Sequence, residues 1–435
     1  MDLRLRNIAV GFAVGAGLGV GGAIAYIKAN GGAVPRPQQA WAMAGGRPVT
    51  QKDLEHPALK FGLPQTEQLR FFSGFVSCFD SATRNPKWVL EFISKDSLKG
   101  EGARDQSTFY EDTSIEERFR SKLADFQDSG YDRGHMAPAA NHKGSQKAMD
   151  DTFALTNISP QVGAGFNRDY WARFEKFVKD VARRSDGVYV VTGPLYLPTP
   201  DADAATGRPG WRMQYPMIGK PPQLVAVPTH YFKVVLAENS SGANGGHTAA
   251  LGAFVMPNAP IDPDTPLSAY AVPLDALECV AGARFFPGYV SERRRAAVDR
   301  AAVAWQEDGR RRMRILARAG LAQEQAVMLP ERATVDAITA SPQPTRSNNW
   351  GWGKKRDAAA AAAGGGGGAD VVDVPVPKTS GGDGAIHVCE LLACRLPPER
   401  WWENNGQGPS GGRKGRGGGG GGGSVDRGQS LKSRL

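Results

Sequence analysis

Glycine is spread so unevenly along this chain that it restricts where a core can form. Among 435 residues there are 55 glycines and 30 prolines, and the densest tracts lie toward the ends. Gly364–Gly368 and Gly417–Gly423 follow the alanine run Ala358–Ala363, while Pro35, Pro37 and Gly45-Gly46 stand near the start. Such tracts bury too little apolar surface to offset the entropy of ordering the backbone, so they are expected to be disordered. The folding unit is therefore expected between Gln65 and Val298, where apolar runs, aromatics and turn residues alternate. A segment of that size buries on the order of 70% of its unfolded surface, ample for one enzyme domain.

Within it, Phe75-Val76-Ser77-Cys78-Phe79 and Trp88-Val89-Leu90-Glu91-Phe92-Ile93 read as two strands around a turn at Ser81–Lys87. Val188–Gly193, His230–Leu236 and Ala249–Met256 read as further strands, the first and last nearly continuous apolar runs of a central sheet. Ahead of these three, from about Asn167 to Arg184, apolar residues recur at helical spacing: Tyr170, Trp171, Phe174, Phe177, Val178 and Val181. That stripe has to pack on the sheet. The expected class is α+β, with a mainly antiparallel central sheet flanked by helices.

The N-terminus carries Arg4 and Arg6, an uncharged stretch from Ile8 to Ile27, and then Lys28. Twenty helical residues rise about 30 Å, the thickness of a bilayer's hydrocarbon, so residues 1–30 read as a membrane anchor or targeting segment, with a secretory signal as the rival. Residues 31–60 read as a Pro/Gly-rich tether and 61–300 as the catalytic unit. From Ser291 to Arg318 the chain turns strongly basic, through Arg293-Arg294-Arg295 and Arg310-Arg311-Arg312 to Arg314 and Arg318, and residues 301–385 read as a basic and low-complexity insertion or tail. A solvated helix face is the plainer reading of those arginines and phosphate contact the sharper one. The formal charge of +9 favours an anionic partner without specifying it. Cys78, Cys279, Cys389 and Cys394 are too few for a disulfide framework and are expected to be free thiols. Cys389 and Cys394 have no second pair or His couple to complete a zinc site.

Phosphodiester hydrolysis needs an activated water, a charge clamp at phosphorus and help for the leaving oxygen. Tyr131-Asp132-Arg133-Gly134-His135-Met136-Ala137-Pro138 supplies a cation and a base two residues apart, on one face if the segment is a strand. Asn167 stands where the helix is expected to begin, and its amide oxygen suits a hard divalent cation. Glu175 lies two turns further on, about 12 Å of helical rise away, too far to share direct ligation. A structural histidine, an N-cap asparagine and a surface glutamate are the bland alternatives.

Asp132-Arg133-Gly134-His135, Ala139-Ala140-Asn141-His142, Ser145–Phe153, Asn157 with Pro160-Gln161, and Asn167 with Glu175 resemble the DNA/RNA non-specific endonuclease family, most closely its mitochondrial endonuclease G branch in fungi. The likeness runs from about His56 through Gly282. It implies a ββα-metal (His-Me) finger, Mg²⁺ with Mn²⁺ as a substitute, and cleavage of double- and single-stranded DNA and RNA to 5′-phosphate ends. Position by position it makes His135 the general base and Asn167 the metal ligand. Glu175 matches an acid that holds a water of the metal. Arg133 and Asn157 match groups around the phosphate and histidine, and Arg104, in a loosely matching stretch, a transition-state arginine. It also implies a homodimer in mitochondria, at the inner membrane or in the intermembrane space, degrading DNA in cell death. Ile386–Leu396 resembles a last core strand, so 386–396 would close the core and 397–435 would be a disordered Gly-rich tail; Asn239–Gly246 reads as a loop insertion. The alternative from another class is a catalytically idle, membrane-anchored nucleic-acid-binding protein of the same fold. A zinc-using finger would need His or Cys in place of Asn167.

Overall fold

A computed structural model describes residues 43–44, 47–48, 57, 60, 67–202, 209–239, 248–318 and 385–398. The anchor reading at 1–30, most of the tether, the insertion after Asn239, the low-complexity tracts and the tail beyond 398 lie outside the described residues. The chain forms β1 (Glu67–Phe71), β2 (Phe75–Asp80) and β3 (Asn85–Ile93), then β4 (Asp132–His135), helix α1 (Gln146–Asp151), β5 (Ile158–Gln161) and helix α2 (Tyr170–Arg184). There follow β6 (Gly187–Leu195), β7 (His230–Asn239), β8 (Thr248–Pro257), β9 (Ala271–Val272), α3 (Leu274–Ala281), α4 (Glu292–Arg318), β10 (Ala385–His387) and α5 (Cys389–Leu392).

The main sheet runs β9-β8-β7-β6-β3-β2-β1, antiparallel along this path, and β10 joins the outer side of β8 in parallel. Strand alternation sends Val89, Ile93, Val188, Val190, Tyr231, Val235 and Phe254 to one face, where they meet Trp171, Phe174, Phe177, Val178 and Val181 of α2. Val191, Leu195, Phe232, Val234, Leu236, Leu251 and Val255 point the other way, toward Leu274 and Leu277 of α3 and Val298 of α4. Both faces are covered, which is why β6 and β8 read as continuous apolar runs. Each large side chain so buried contributes about 1.5–3 kcal/mol, and this places α2 firmly across the sheet.

The basic stretch after Ser291 is a helix held by buried Val298, Ala302, Trp305 and Met313. Several of its arginines pair within the protein: Arg295 with Asp275 and Glu278, and Arg311 and Arg312 with Asp308.

The C-terminal segment corrects two expectations. The strand is short, pairing Ala385–His387 with Ala249–Leu251, and the chain turns helical from Val388 onward because that residue adopts right-handed helical angles. Cys389 and Cys394 are joined in a disulfide rather than free; their Cα atoms lie 4.5 Å apart, within bridging reach. Cys78 and Cys279 remain free thiols.

Burial pushes His230 down to about 4 and His387 down to about 3 from an ordinary 6.5. The folded state thus favours the neutral imidazoles. Their contribution is complete above pH 6.5 and is lost as pH falls from 6.5 toward those lowered values. In urea unfolding, the stability difference between the unaltered protein and His230→Gln should shrink by about 2 kcal/mol between pH 7.5 and pH 5. A pH-independent difference would contradict this linkage.

Candidate active site

The site is built on a ribbon that stands apart from the main sheet. β4 and β5 pair antiparallel, with Asp132 opposite Gln161, Gly134 opposite Ser159 and His135 opposite Ile158. At Gly134 a Cβ would lie 2.0 Å from Oε1 of the buried Gln161, so a larger residue there would displace that side chain. Beyond β5 the chain makes a tight turn, Gly163–Asn167, in which Gly165 has φ +78, and then enters α2. The ribbon, the turn and the helix thus present three consecutive parts of one site. Asn167 lies in the turn ahead of α2, and the helix N-cap position is Asp169.

Arg133 and His135 share a face of β4, as alternation requires, and both lie against Phe109: the guanidinium carbon is 4.4 Å and the imidazole 5.4 Å from the centre of its ring. Phe153 meets the His135 ring edge-on at 5.0 Å, and the Arg104 guanidinium lies 5.4 Å from the centre of Phe153. Two aromatic rings therefore gather Arg104, Arg133 and His135. His135 is buried, and its Nε2 has no hydrogen-bond partner. Burial holds its pKa well below 6.5, and the charges of Arg104 and His142 push it the same way. The imidazole is neutral at neutral pH, with a lone pair available to accept a proton.

Asp132 faces the opposite side of β4 and closes the gap to the turn. Its Oδ2 accepts a 2.9 Å hydrogen bond from Nδ2 of Asn167 and another from Arg168, whose guanidinium grips both carboxylate oxygens. With its nitrogen bonded to Asp132, the Asn167 amide has an oxygen that accepts no hydrogen bond among the described residues. That donor fits a hard, partly hydrated divalent cation, and an anchored amide is the usual form of support behind such a group. Among the described residues no cluster of three or more His, Cys, Asp or Glu could hold a metal.

Glu175 lies on α2, partly covered, and burial pushes its carboxyl up to about 7 against the opposing charges of Lys233, Lys179 and Arg104, with Glu91 reinforcing the rise. Arg104 retains an exposed surface, while burial of its inner side lowers its pKa against the opposing charge of Glu175. Lys179, one turn past Glu175, is pushed down to about 8 by burial, opposed by Glu175.

Asn157 takes a different place from the other candidates. Its Nδ2 donates to the carbonyls of Ala137 and Thr152, its Oδ1 accepts from the Ala137 amide, and it is 0% exposed. These bonds tie the backbone just after His135 to the start of β5.

Sequence reasoning assigned no role to Phe109, Phe153, Asp132, Arg168 or the buried group behind the site. There Oε2 of Glu91 accepts from Asn141 Nδ2 at 3.1 Å and lies 3.0 Å from His142 Nε2, while Lys233 donates to Thr192 and lies 4.8 Å from the Trp171 ring. A lysine in the middle of the apolar run His230–Leu236 was the available signal.

The model of the DNA/RNA non-specific endonuclease family matches residues 54–292. A mitochondrial nuclease of Saccharomyces cerevisiae is 48% identical over 225 residues, covering 51% of this chain and 67% of that protein. Bovine mitochondrial endonuclease G is 42% identical over 232 residues, 53% of this chain and 73% of its own. A crystal structure of endonuclease G in complex with its inhibitor EndoGI is 37% identical, covering 57% of this chain and 96% of its own, with a TM-score of 0.47. With the matched region spanning more than half of the chain and containing every candidate residue above, the chain belongs to the DNA/RNA non-specific endonuclease family, a family of metal-dependent endonucleases.

Proposed function

We propose that this chain is a Mg²⁺-dependent, sugar-non-specific endonuclease that hydrolyses DNA and RNA to 5′-phosphate and 3′-hydroxyl ends. The observation that carries the reading is the buried, unpartnered Nε2 of His135 on the same ribbon whose Asp132 orients the amide of Asn167. Mitochondrial residence is supported by the names of the yeast and bovine relatives, and within the organelle the proposal places the protein at the inner membrane or in the intermembrane space. Homodimer formation, attachment through residues 1–30, a tether at 31–60, a catalytic unit over 61–300 and a role in cell-death DNA degradation complete the reading.

Asn167 would hold Mg²⁺ through its amide oxygen, with Mn²⁺ as a substitute of similar oxygen preference. The cation, when bound, supplies Lewis-acid stabilisation of charge on the phosphate and the leaving oxygen. His135 Nε2 takes the proton from the attacking water, and the phenyl rings of Phe109 and Phe153 hold the imidazole in the orientation this transfer needs. Arg133 and Arg104 face the phosphate oxygens, where planar guanidinium groups pair best with developing negative charge. Glu175 accepts hydrogen bonds from water on the cation side. Asn157 keeps the Ala137 backbone in place behind the base.

Supercoiled plasmid and single-stranded RNA should both be degraded in Mg²⁺ and spared in EDTA. His135→Ala should lower the rate by about 10²–10⁴-fold with binding of the substrate retained. Binding without cutting by the unaltered protein would instead support the idle nucleic-acid-binding alternative.

Asp132→Ala removes the anchor of the Asn167 amide without touching the base. The Mg²⁺ concentration for half-maximal cleavage should rise by roughly 10–100-fold, with most of the rate recovered at saturating metal. An unchanged metal dependence would show that the Asp132–Asn167 hydrogen bond does not orient the metal-holding group.

A further inference from the structure

The segment 385–398 lies beyond the family match, which ends at residue 292, yet it is built into the same core as the catalytic helix. β10 pairs with Ala249–Leu251 of β8, Val388 donates to the Leu251 carbonyl at 3.1 Å, and Val388, Cys389 and Cys394 are buried in the cluster that contains α2. Past the disulfide the chain reaches Pro397, whose carbonyl accepts a 2.7 Å hydrogen bond from Nε of Arg173. Arg173 stands on α2 two residues before Glu175, and its Nη1 donates to the Pro263 carbonyl at 2.7 Å. The loop carrying Pro263 in turn binds the turn that holds Asn167: Ile261 donates to the Gly165 carbonyl at 3.1 Å, and Tyr170 on α2 donates to the Thr265 carbonyl.

A partly open cavity of about 210 Å³, lined by Gly165, Asp169, Tyr170, Arg173, Ile261 and Pro263, lies at this joint. The hydrogen bonds of Arg173 join α2 to the loop and to Pro397, alongside the Ile261–Gly165 and Tyr170–Thr265 bonds. The disulfide closes the turn three residues before Pro397. It closes a loop with a sequence separation of only 5, so its stabilising effect through chain entropy is at the small end for such bonds. What it does locally is hold Ala393 and Cys394 in left-handed conformations, φ 51 and 45, which non-glycine residues adopt at a cost. That turn sends Arg395–Pro397 back toward α2.

We infer that the segment 385–398 is a redox-sensitive clasp that positions the metal-holding end of the site through Arg173, closed by the Cys389–Cys394 disulfide. Both sulfurs are buried, so a dithiol reductant reaches the bond through local opening of the segment; two electrons and two protons then pass to the S–S bond, giving the Cys389 and Cys394 thiols, and the reductant becomes the disulfide. Loss of the bond lets the left-handed turn relax, frees the Pro397 carbonyl from Arg173, and loosens α2 and the Gly163–Asn167 turn. Arg173 is a positioning residue, and the inference rests on the proposed nuclease function only for its activity readout.

The test uses the full chain in a Cys279→Ser background, which removes the exposed free thiol. Oxidised, dithiothreitol-reduced and reoxidised samples are compared by hydrogen–deuterium exchange and by Mg²⁺ titration of plasmid cleavage. Reduction should speed amide exchange across 163–175 and raise the Mg²⁺ requirement about tenfold, both reversed on reoxidation. Arg173→Gln, with the disulfide intact, should give the same pair of changes and make them insensitive to reduction, while Arg173→Lys restores part of the metal affinity. Identical exchange in the oxidised and reduced states, or an Arg173→Gln protein as sensitive to reduction as its parent, would overturn the clasp. If the unaltered protein does not cut at all, the nuclease reading fails, and the exchange data still decide the clasp.

Discussion

One carboxylate joins the two halves of the site. Asp132 belongs to the strand that carries His135, and its oxygens are taken by Asn167 and Arg168 from the turn that leads into α2. His135 and the Asn167 amide, the base and the metal-holding group of the proposed function, come from different elements, 32 residues apart in numbering, and this short polar link fixes one against the other. A hydrogen bond involving a charged group is shorter and stronger than a neutral pair, and here the charge of Asp132 is balanced by Arg168. The amide is thereby oriented without adding net charge beside it. The ribbon itself depends on Asn157, whose fully buried side chain stands in for backbone pairing beyond the end of β4.

Behind the ribbon the sheet carries charge where apolar residues would be expected. Glu91 on β3 and Lys233 on β7 lie on the face covered by α2, with Thr192 of β6 opposite Lys233 in register. An isolated buried charge is expensive, so these groups persist only through their partners: Asn141 and His142 for Glu91, and Thr192 and the Trp171 ring for Lys233. Their fields reach Glu175, and the lysine opposes the desolvation that raises its pKa. The sheet thus contributes to the electrostatics of the site as well as supporting the helix.

The sheet strands and α2 were legible in the sequence because each buries an extended apolar face, and periodicity reports burial. The ribbon was not legible that way. β4 is four residues, Asp132-Arg133-Gly134-His135, with no apolar alternation, and β5 contains Pro160, which argues against a strand. Arg133, His135, Asn167 and Glu175 were reached through their chemistry and spacing and then through resemblance, which added Asn157 as a group around the phosphate and histidine; its hydrogen bonds run to Ala137 and Thr152. The disulfide escaped because its turn uses Ala393 and Cys394 rather than glycine, leaving no local mark of a left-handed bend. Asp132 escaped because its meaning lies in partners more than thirty residues away.

The choice of a neutral amide at 167 bears on why such a site would accept either nucleic acid. With Asn167 uncharged and Asp132 neutralised by Arg168, the protein balances little of a divalent cation's charge on that side. The phosphate of the substrate has to balance the rest, so cation and phosphodiester reinforce each other's binding. Arg133 and Arg104 add to the same pull, since guanidinium groups recognise phosphate through its oxygens and charge. Every one of these interactions is addressed to the phosphate, the feature common to DNA and RNA, and none requires a particular base or a 2′-hydroxyl. On the proposed function, breadth of substrate is the direct consequence of a site whose electrostatics close only when a phosphate is present.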